Sequence, residues 1–335
     1  MPTIDIENRR YIGSKAKLLD WIFDHIKKEC KGNSFADIFA GTGVVSARAA
    51  RSFNKIILND ILHSNFASYQ GFFAQEKYDR EKIFNFVAHY NSLDAKDIKH
   101  TFFSKAFGGK YFNVPAAKLI GYIREDLNKR KSELNNKEYH ILLTSLLYSA
   151  DKIANTVGHY EAYFKKSISD RKFIFRLIEP LIKAGRVSIH REDANELAKS
   201  LKADIVYIDP PYNSRQYSRF YHVLETLALW DNPKLFGVAL KRPEENMSEY
   251  CRNNAVNAFA DLIGKLNAKY IVVSYNNTYN SKSSSSRNKI ELEDIKSILT
   301  SKGKTKIFKK SHQFFNAGKT DFNDHQEWLF ITEVL

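Results

Sequence analysis

The sequence holds two cysteines, Cys30 and Cys251, among 335 residues, with only seven prolines and fourteen glycines. Two thiols cannot build a disulfide scaffold or a multi-cysteine zinc site, so a reducing compartment is the expected setting. So little proline and glycine, beside 43% hydrophobic and 13% aromatic residues, excludes a disordered or fibrous chain. No apolar run reaches 18 residues, so no membrane span is expected. Met1–Asp20 carries charges throughout and has no apolar core, so no signal peptide is read and a cytoplasmic protein is expected. His190, His222, His312 and His325 are scattered, without a His or Cys partner at ligand spacing, and no metal site is expected.

Positive charge is what the sequence has in excess: Lys+Arg 52 against Asp+Glu 38, a formal net charge of +14. The excess is clustered. Residues 101–130 hold six basic and two acidic side chains, residues 171–190 five and one, and residues 281–310 nine and three. These stretches account for all of the net charge. Clustered cations are the footprint of a polyanion binder. Lysine used as a plain solubilising residue gives the same composition, so charge alone leaves both readings open.

Short apolar runs alternate with amphipathic patterns, which marks an α/β protein. Candidate strands are Phe35–Ala40, Lys55–Asn59, Arg186–His190, Ala203–Asp209, Tyr270–Ser274 and Trp328–Thr332. Their near-continuous β-branched and aromatic content suits strands covered on both faces. A helix over Lys15–Glu29 puts Leu19, Ile22, Phe23 and Ile26 on one face, and another follows Gly43. Residues 65–184 read differently, with helical patterns at Glu81–Tyr90, Ala116–Leu127 and Tyr139–Ala154 and no run of buried strands. The simplest organisation is a sheet domain formed by 1–64 and 185–335, interrupted by a mostly helical insertion at 65–184. Ser281–Arg287 reads as a flexible loop, and 236–256 as a second long loop.

The first chemical motif is Asp37-Ile-Phe-Ala-Gly-Thr-Gly43, between an apolar strand and a helical stretch. Gly41 and Gly43 permit a tight turn and close backbone approach by a ligand, and the helix start offers free N–H groups. Asp60 ends the next apolar strand, where a carboxylate typically accepts hydrogen bonds from ribose hydroxyls. An ordinary strand–helix turn remains the alternative. The third glycine of the dinucleotide fingerprint is replaced by Arg48, Ala49 and Ala50, which favours a nucleoside cofactor lacking a pyrophosphate.

The second motif, Asp209-Pro210-Pro211-Tyr212, follows the strand that ends at Ile208. Chance would produce this tetrapeptide in about one chain of this length in a thousand. Two prolines could simply stiffen a loop. They also leave carbonyl oxygens unpaired at the carboxyl edge of a sheet, where open α/β folds bind ligands. An aspartate, a fixed carbonyl and an aromatic face together suit a planar base bearing an –NH2 group.

Asp-Pro-Pro-Tyr after a strand, with Phe39-Ala-Gly-Thr-Gly43 upstream, resembles the amino-methyltransferases that use S-adenosylmethionine. The full order is Arg10-Tyr-Ile-Gly-Ser-Lys15, Phe39–Gly43, Asp60, a long insertion, Glu192-Asp193-Ala194-Asn195, then Asp209–Tyr212. That order is similar to the α-group, Dam-like (D12-class) adenine-N6 DNA methyltransferases of restriction-modification systems. Gly109–Asn113 and Asp151–Thr156 also resemble segments of such enzymes. The resemblance implies a Rossmann-like methyltransferase sheet with an inserted helical target-recognition domain. It implies S-adenosylmethionine as methyl donor, duplex DNA as substrate and a cognate restriction endonuclease as functional partner. By the same resemblance, Tyr11, Gly13 and Lys15 belong to the cofactor site, with Phe39, Gly41 and Gly43 under the methionine and ribose. Asp60 holds the ribose hydroxyls and Asp193 lies near the cofactor adenine. Asp209 and Pro210 bind the target amine, Asp209 also lying near the methionine end, with Pro211 between them and Tyr212, which stacks on the target base. Ser274–Asn277 resembles a further motif lining the target pocket.

The adenine N6 lone pair is delocalised, so acceptors for its two N–H groups would favour a more tetrahedral, nucleophilic nitrogen and stabilise charge developing there. Duplex DNA hides that atom, so the base must flip out. Arg215 and Arg219, in the aromatic stretch after the motif, are candidates for phosphate contacts. The same stretch also reads as a helix start with an aromatic inner face. Lys105, Lys110 and Arg124 in the insertion are further DNA-binding candidates, as are Lys282, Arg287 and Lys289 around the serine run. Alternatives are an RNA adenine-N6 or DNA cytosine-N4 methyltransferase, or a catalytically silent DNA-binding subunit that keeps the fold.

Overall fold

The computed structural model describes residues 3–165, 168, 170–181, 185–277, 287–312 and 325–335. Positions 281–286 of the serine-rich loop lie outside the described residues. The strands are β1 Thr3–Ile4, β2 Ser34–Asp37, β3 Lys55–Asn59, β4 Leu177–Ile178, β5 Arg186–His190, β6 Lys202–Ile208, β7 Asn267–Asn276, β8 Gly303–Ser311 and β9 Gln326–Val334. The chain forms two units: Gly13–Ile61 with Ala184–Tyr217 and Asn246–Leu335, and Met1–Ile12 with Leu62–Lys183 and Ser218–Glu245.

The first unit is built on a seven-stranded sheet in the order β5-β3-β2-β6-β7-β9-β8. Strands β5, β3, β2, β6 and β7 are parallel, while β9 is antiparallel to β7 and β8 antiparallel to β9. This is the mostly parallel α/β sheet expected from the apolar runs. Ile56, Leu58, Ile271, Val272 and Val273 are fully buried, as strands covered by helices on both faces require. The helix at Leu19–Glu29 buries Leu19, Ile22, Phe23 and Ile26, and a 3-10 turn at Ala16–Leu18 replaces the start expected at Lys15. Strand β8 was not expected from the sequence. It forms the sheet edge, and its exposed Lys304, Lys306, Lys309 and Lys310 mask the apolar pattern while discouraging edge-to-edge pairing.

The second unit is helical, with helices at His63–Phe73, Arg80–Ser92, Phe102–Phe107, Val114–Lys129, Asn136–Ile153 and His222–Leu229. Side chains start four of them: Asp79, Thr101, Asn113 and Asn135 accept from the N–H groups of Lys82, Ser104, Ala116 and Glu138. Asn136–Ile153 is buried nearly all round and serves as the unit's central helix. A parallel bridge of β1 with β4 pairs Thr3 with Leu177 and Ile4 with Ile178.

This unit takes in more than residues 65–184, because residues 3–12 and Ser218–Glu245 pack within it. Glu225 explains the latter: its carboxylate accepts from the N–H groups of His63 (3.0 Å) and Ser64 (2.8 Å), satisfying the start of the His63–Phe73 helix. Arg124 does the same at the other polarity. Its Nε and Nη2 donate to the Leu227 and Ala228 carbonyls at 2.6 and 3.1 Å, at the end of the His222–Leu229 helix. The side chain is 2% exposed. Arg124, a DNA-binding candidate from the sequence, thus lies buried within the unit with Nε and Nη2 on backbone carbonyls. Among the described residues, no helix is long and apolar enough to cross a membrane.

Candidate active site

Strand β2 has β3 on one side and β6 on the other, so the sheet's winding reverses between β2 and β6. Crevices at the carboxyl ends of such a pair are where open α/β sheets bind ligands. Both chemical motifs emerge here, Phe39–Gly43 after β2 and Asp209–Tyr212 after β6. Gly41 (φ 54°) and Gly43 (φ 82°) adopt left-handed conformations, and Gly43 opens the helix Val44–Ala49. The Gly41 N–H donates to Asp60 Oδ2 at 3.0 Å, tying the loop to the carboxylate that ends β3. Asn59, which the sequence reading missed, stitches the neighbouring strand ends. Its amide donates to the Ile38 and Glu192 carbonyls (3.1 and 3.0 Å) and its Oδ1 accepts from the Glu192 N–H (2.9 Å).

Beyond β6 lies a buried charge cluster. Lys15 Nζ is 2.8 and 2.9 Å from the two oxygens of Asp209 and 3.5 Å from Glu327 Oε1. It also donates to the Tyr212 hydroxyl, which in turn donates to Asp209. Ser274 on β7 donates to Glu327 Oε1 at 2.6 Å. Lys15 is 3% exposed and Glu327 1%. Burial works against the Lys15 ammonium, but Asp209 and Glu327 outweigh it and hold its pKa above the usual range. Burial raises the Asp209 carboxyl, opposed by Lys15 and Tyr212; it also raises Glu327, opposed by Lys15 and reinforced by Asp209. Glu327 was not anticipated; its only sequence signal is an acidic residue opening the apolar run Trp328–Thr332.

Tyr212 is buried, its ring edge-on to Tyr275 at 4.9 Å between centroids, and Tyr275 Oη donates to the Tyr212 carbonyl at 3.3 Å. Gly13 (φ 81°) lies beside it: a Cβ there would sit 3.7 Å from Tyr212 Cε2 and 3.3 Å from Tyr217 Oη. Pro210 is buried and Pro211 half-buried.

A separate cavity of about 320 Å³ is lined by Asp193, Asn195, Tyr250, Asn254, Asn257 and Asp261, among others. Asp193 follows β5 and caps the helix Ala194–Leu197 by accepting from Asn195 and Glu196 N–H. Tyr250 donates to Asn195 Oδ1 at 2.7 Å, and Phe39 meets the Tyr250 ring edge-on at 5.0 Å. The structure thus brings Phe39 to the wall of the cavity that Asp193 lines.

The remaining candidates divide between the units. Tyr11 belongs to the helical unit, its ring stacked on Tyr221 at 4.7 Å and 7°, with the buried Arg9 guanidinium over both rings. Lys105 is exposed and Lys110 half-buried there. Arg219, in the same unit, donates to the Arg242 carbonyl at 2.6 Å. Arg215 belongs to the sheet unit, half-buried, and its carbonyl accepts from the Cys251 thiol at 3.4 Å.

This sheet, with Asp209-Pro-Pro-Tyr212 at its switch point, defines an α/β enzyme of the methyltransferase type. Residues 11–290 match the D12 class N6 adenine-specific DNA methyltransferase family, and the chain belongs to that family. It is 34% identical over 355 residues to the type II methyltransferase M.FokI of Planomicrobium okeanokoites, an alignment that takes in 97% of this chain and 52% of that protein. It therefore spans about half of M.FokI. The type II methyltransferase M.CviAII of Paramecium bursaria Chlorella virus 1 is 32% identical, with 97% of this chain and 98% of the relative aligned. M.NlaIII of Neisseria lactamica is 28% identical, with 96% and 98% aligned.

Proposed function

We propose that the protein transfers a methyl group from S-adenosylmethionine to N6 of a flipped adenine within a short duplex sequence. The product would protect that sequence from a cognate restriction endonuclease. The observation that carries this reading is Asp209, placed at the switch point and held by Lys15 at 2.8 Å. The donor set suits the methyl donor: Asp60 at a strand end for ribose hydroxyls, the Asp193 cavity for a purine, and a carboxylate-rich cluster for a cation. Gly13, Phe39, Gly41 and Gly43 would complete that site. S-adenosylmethionine supplies an electrophilic methyl group on a sulfonium.

The chain's own residues supply the acceptors. Burial favours a protonated Asp209, and a protonated carboxyl accepts an amine hydrogen poorly. Lys15 and the Tyr212 hydroxyl oppose that effect, so both favour the ionised carboxylate. Asp209 and the Pro210 carbonyl would take the two N–H bonds of the target amine, with Tyr212 offering its ring to the base. Lys105, Lys110, Arg215 and Arg219 would bind phosphates. Tritium transfer to duplex DNA followed by nucleoside analysis tests the reading. N6-methyladenine should be the product, and Asp209→Ala should lower transfer by on the order of 10²–10³-fold or more. Label in cytosine or only in RNA, or full activity in the variant, would overturn it.

A further inference from the structure

Lys15, Asp209 and Glu327 place one ammonium among two carboxylates in the interior, at 2.8 and 3.5 Å. Buried charges are ordinarily paired one to one, since an unmatched ion loses its hydration without compensation. Among the described residues, the neighbours of Glu327 do not supply the missing cation; His312, near enough to feel Lys15, is held below the usual imidazole range by burial and by Lys15. Ser274 and the phenols of Tyr207 and Tyr212 are neutral groups. Lys310, the cross-strand partner of Glu327, is exposed and carries its ammonium over the Trp21 ring at 5.9 Å. With both carboxylates ionised, the cluster holds one negative charge in excess.

We infer that Glu327 makes this cluster a recognition site for a cationic methyl donor over its neutral thioether product. The inference rests on the reading of the protein as an S-adenosylmethionine-dependent enzyme, and assigns Glu327 as the determinant of that charge selectivity. A sulfonium near Asp209 would complete the balance that Lys15 leaves open. Loss of that charge on methyl transfer would leave a ligand the cluster no longer favours, which promotes product exchange. Burial displaces both carboxyls upward, so proton uptake is the route by which the excess charge would be relieved before the cation arrives. Binding the cation should therefore expel part of a proton, and binding the neutral product should not.

Calorimetry without DNA, in two buffers of different ionisation enthalpy, reads both effects with S-adenosylmethionine and S-adenosylhomocysteine. The wild type should prefer the sulfonium and release protons only with it. Glu327→Gln should cut the preference by on the order of tenfold and diminish proton release. Ser274→Ala keeps all three charges but removes the hydrogen bond that favours ionised Glu327. It should increase proton release at unchanged pH, and it decides the matter if Glu327→Gln fails to fold. An unchanged preference in folded Glu327→Gln, or unchanged release in Ser274→Ala, would overturn the inference. Failure of either ligand to bind the wild type would instead refute the methyl-donor reading.

Discussion

Ser46 Oγ donates to Asp37 Oδ2 at 2.8 Å, while the other oxygen of that buried carboxyl has no partner among the described residues. Burial pushes Asp37 up to about 8; Ser46 opposes the shift, and Asp209 and Asp60 add to it. Asp37 is then protonated at neutral pH. Its pKa is higher in the folded than in the unfolded state, so stability is greatest below pH 4 from this group and falls as pH rises towards about 8. Asp37→Asn should flatten that dependence and be the more stable form at pH 8, by on the order of a few kcal/mol. Denaturant melts of both proteins at pH 5 and 8 check it.

Lys15→Met should damage both folding and catalysis. It leaves two buried carboxylates without their cation, a loss of about 3–5 kcal/mol where protonation does not relieve it. It also removes the charge that draws Asp209 down. The acid limb of the methyl-transfer rate should therefore move to higher pH, measurable in single-turnover profiles of the variant.

Arg124→Met should act on stability, not on DNA. Two carbonyls at the end of the His222–Leu229 helix lose their donor, at a cost of about 2–3 kcal/mol. The slope of log affinity against log salt should stay unchanged. Lys105→Glu and Lys110→Glu should each reduce that slope by about 0.9 or more if they meet phosphate. Fluorescence titrations at several salt concentrations separate the two classes.

Gly13→Ala should cost about 1–2 kcal/mol, because φ 81° is left-handed and the new methyl meets Tyr217 and Tyr212. Methyl transfer should fall further than stability does, since Tyr212 shares its hydroxyl with Asp209. Thermal melts beside rate measurements distinguish the two losses.

Strand β3 was legible because burial on both faces demands an unbroken apolar run, and it matches the expected residues end to end; β5, at the other edge of the sheet, also matches although its residues are only half-buried or exposed. Strand β8 was not legible, because an edge strand keeps only a partial apolar face among its lysines. The switch-point motifs could be read because Gly41, Gly43 and the two prolines are residues chosen for backbone reasons. Glu327 and Asn59 could not, because their importance comes from neighbours nearly 120 residues away or more, Asp209 and Glu192. The burial of Arg124 was illegible for the same reason: residue type gives a charge, and only packing shows which groups it meets.

The helical unit is assembled from three separated stretches, and the chain passes between units after Ile12, Ile61, Lys183 and Tyr217, and again after Glu245. It is thus not a cassette. A chimaera that exchanges only residues 65–184 with a relative would cut the His63–Phe73 helix just after the two residues whose N–H groups Glu225 holds, and would separate Arg124 from the carbonyls it holds. Transplanting the helical unit requires moving all three stretches together. During synthesis the unit can complete its packing only once Ser218–Glu245 has been made, well after the insertion itself has left the ribosome.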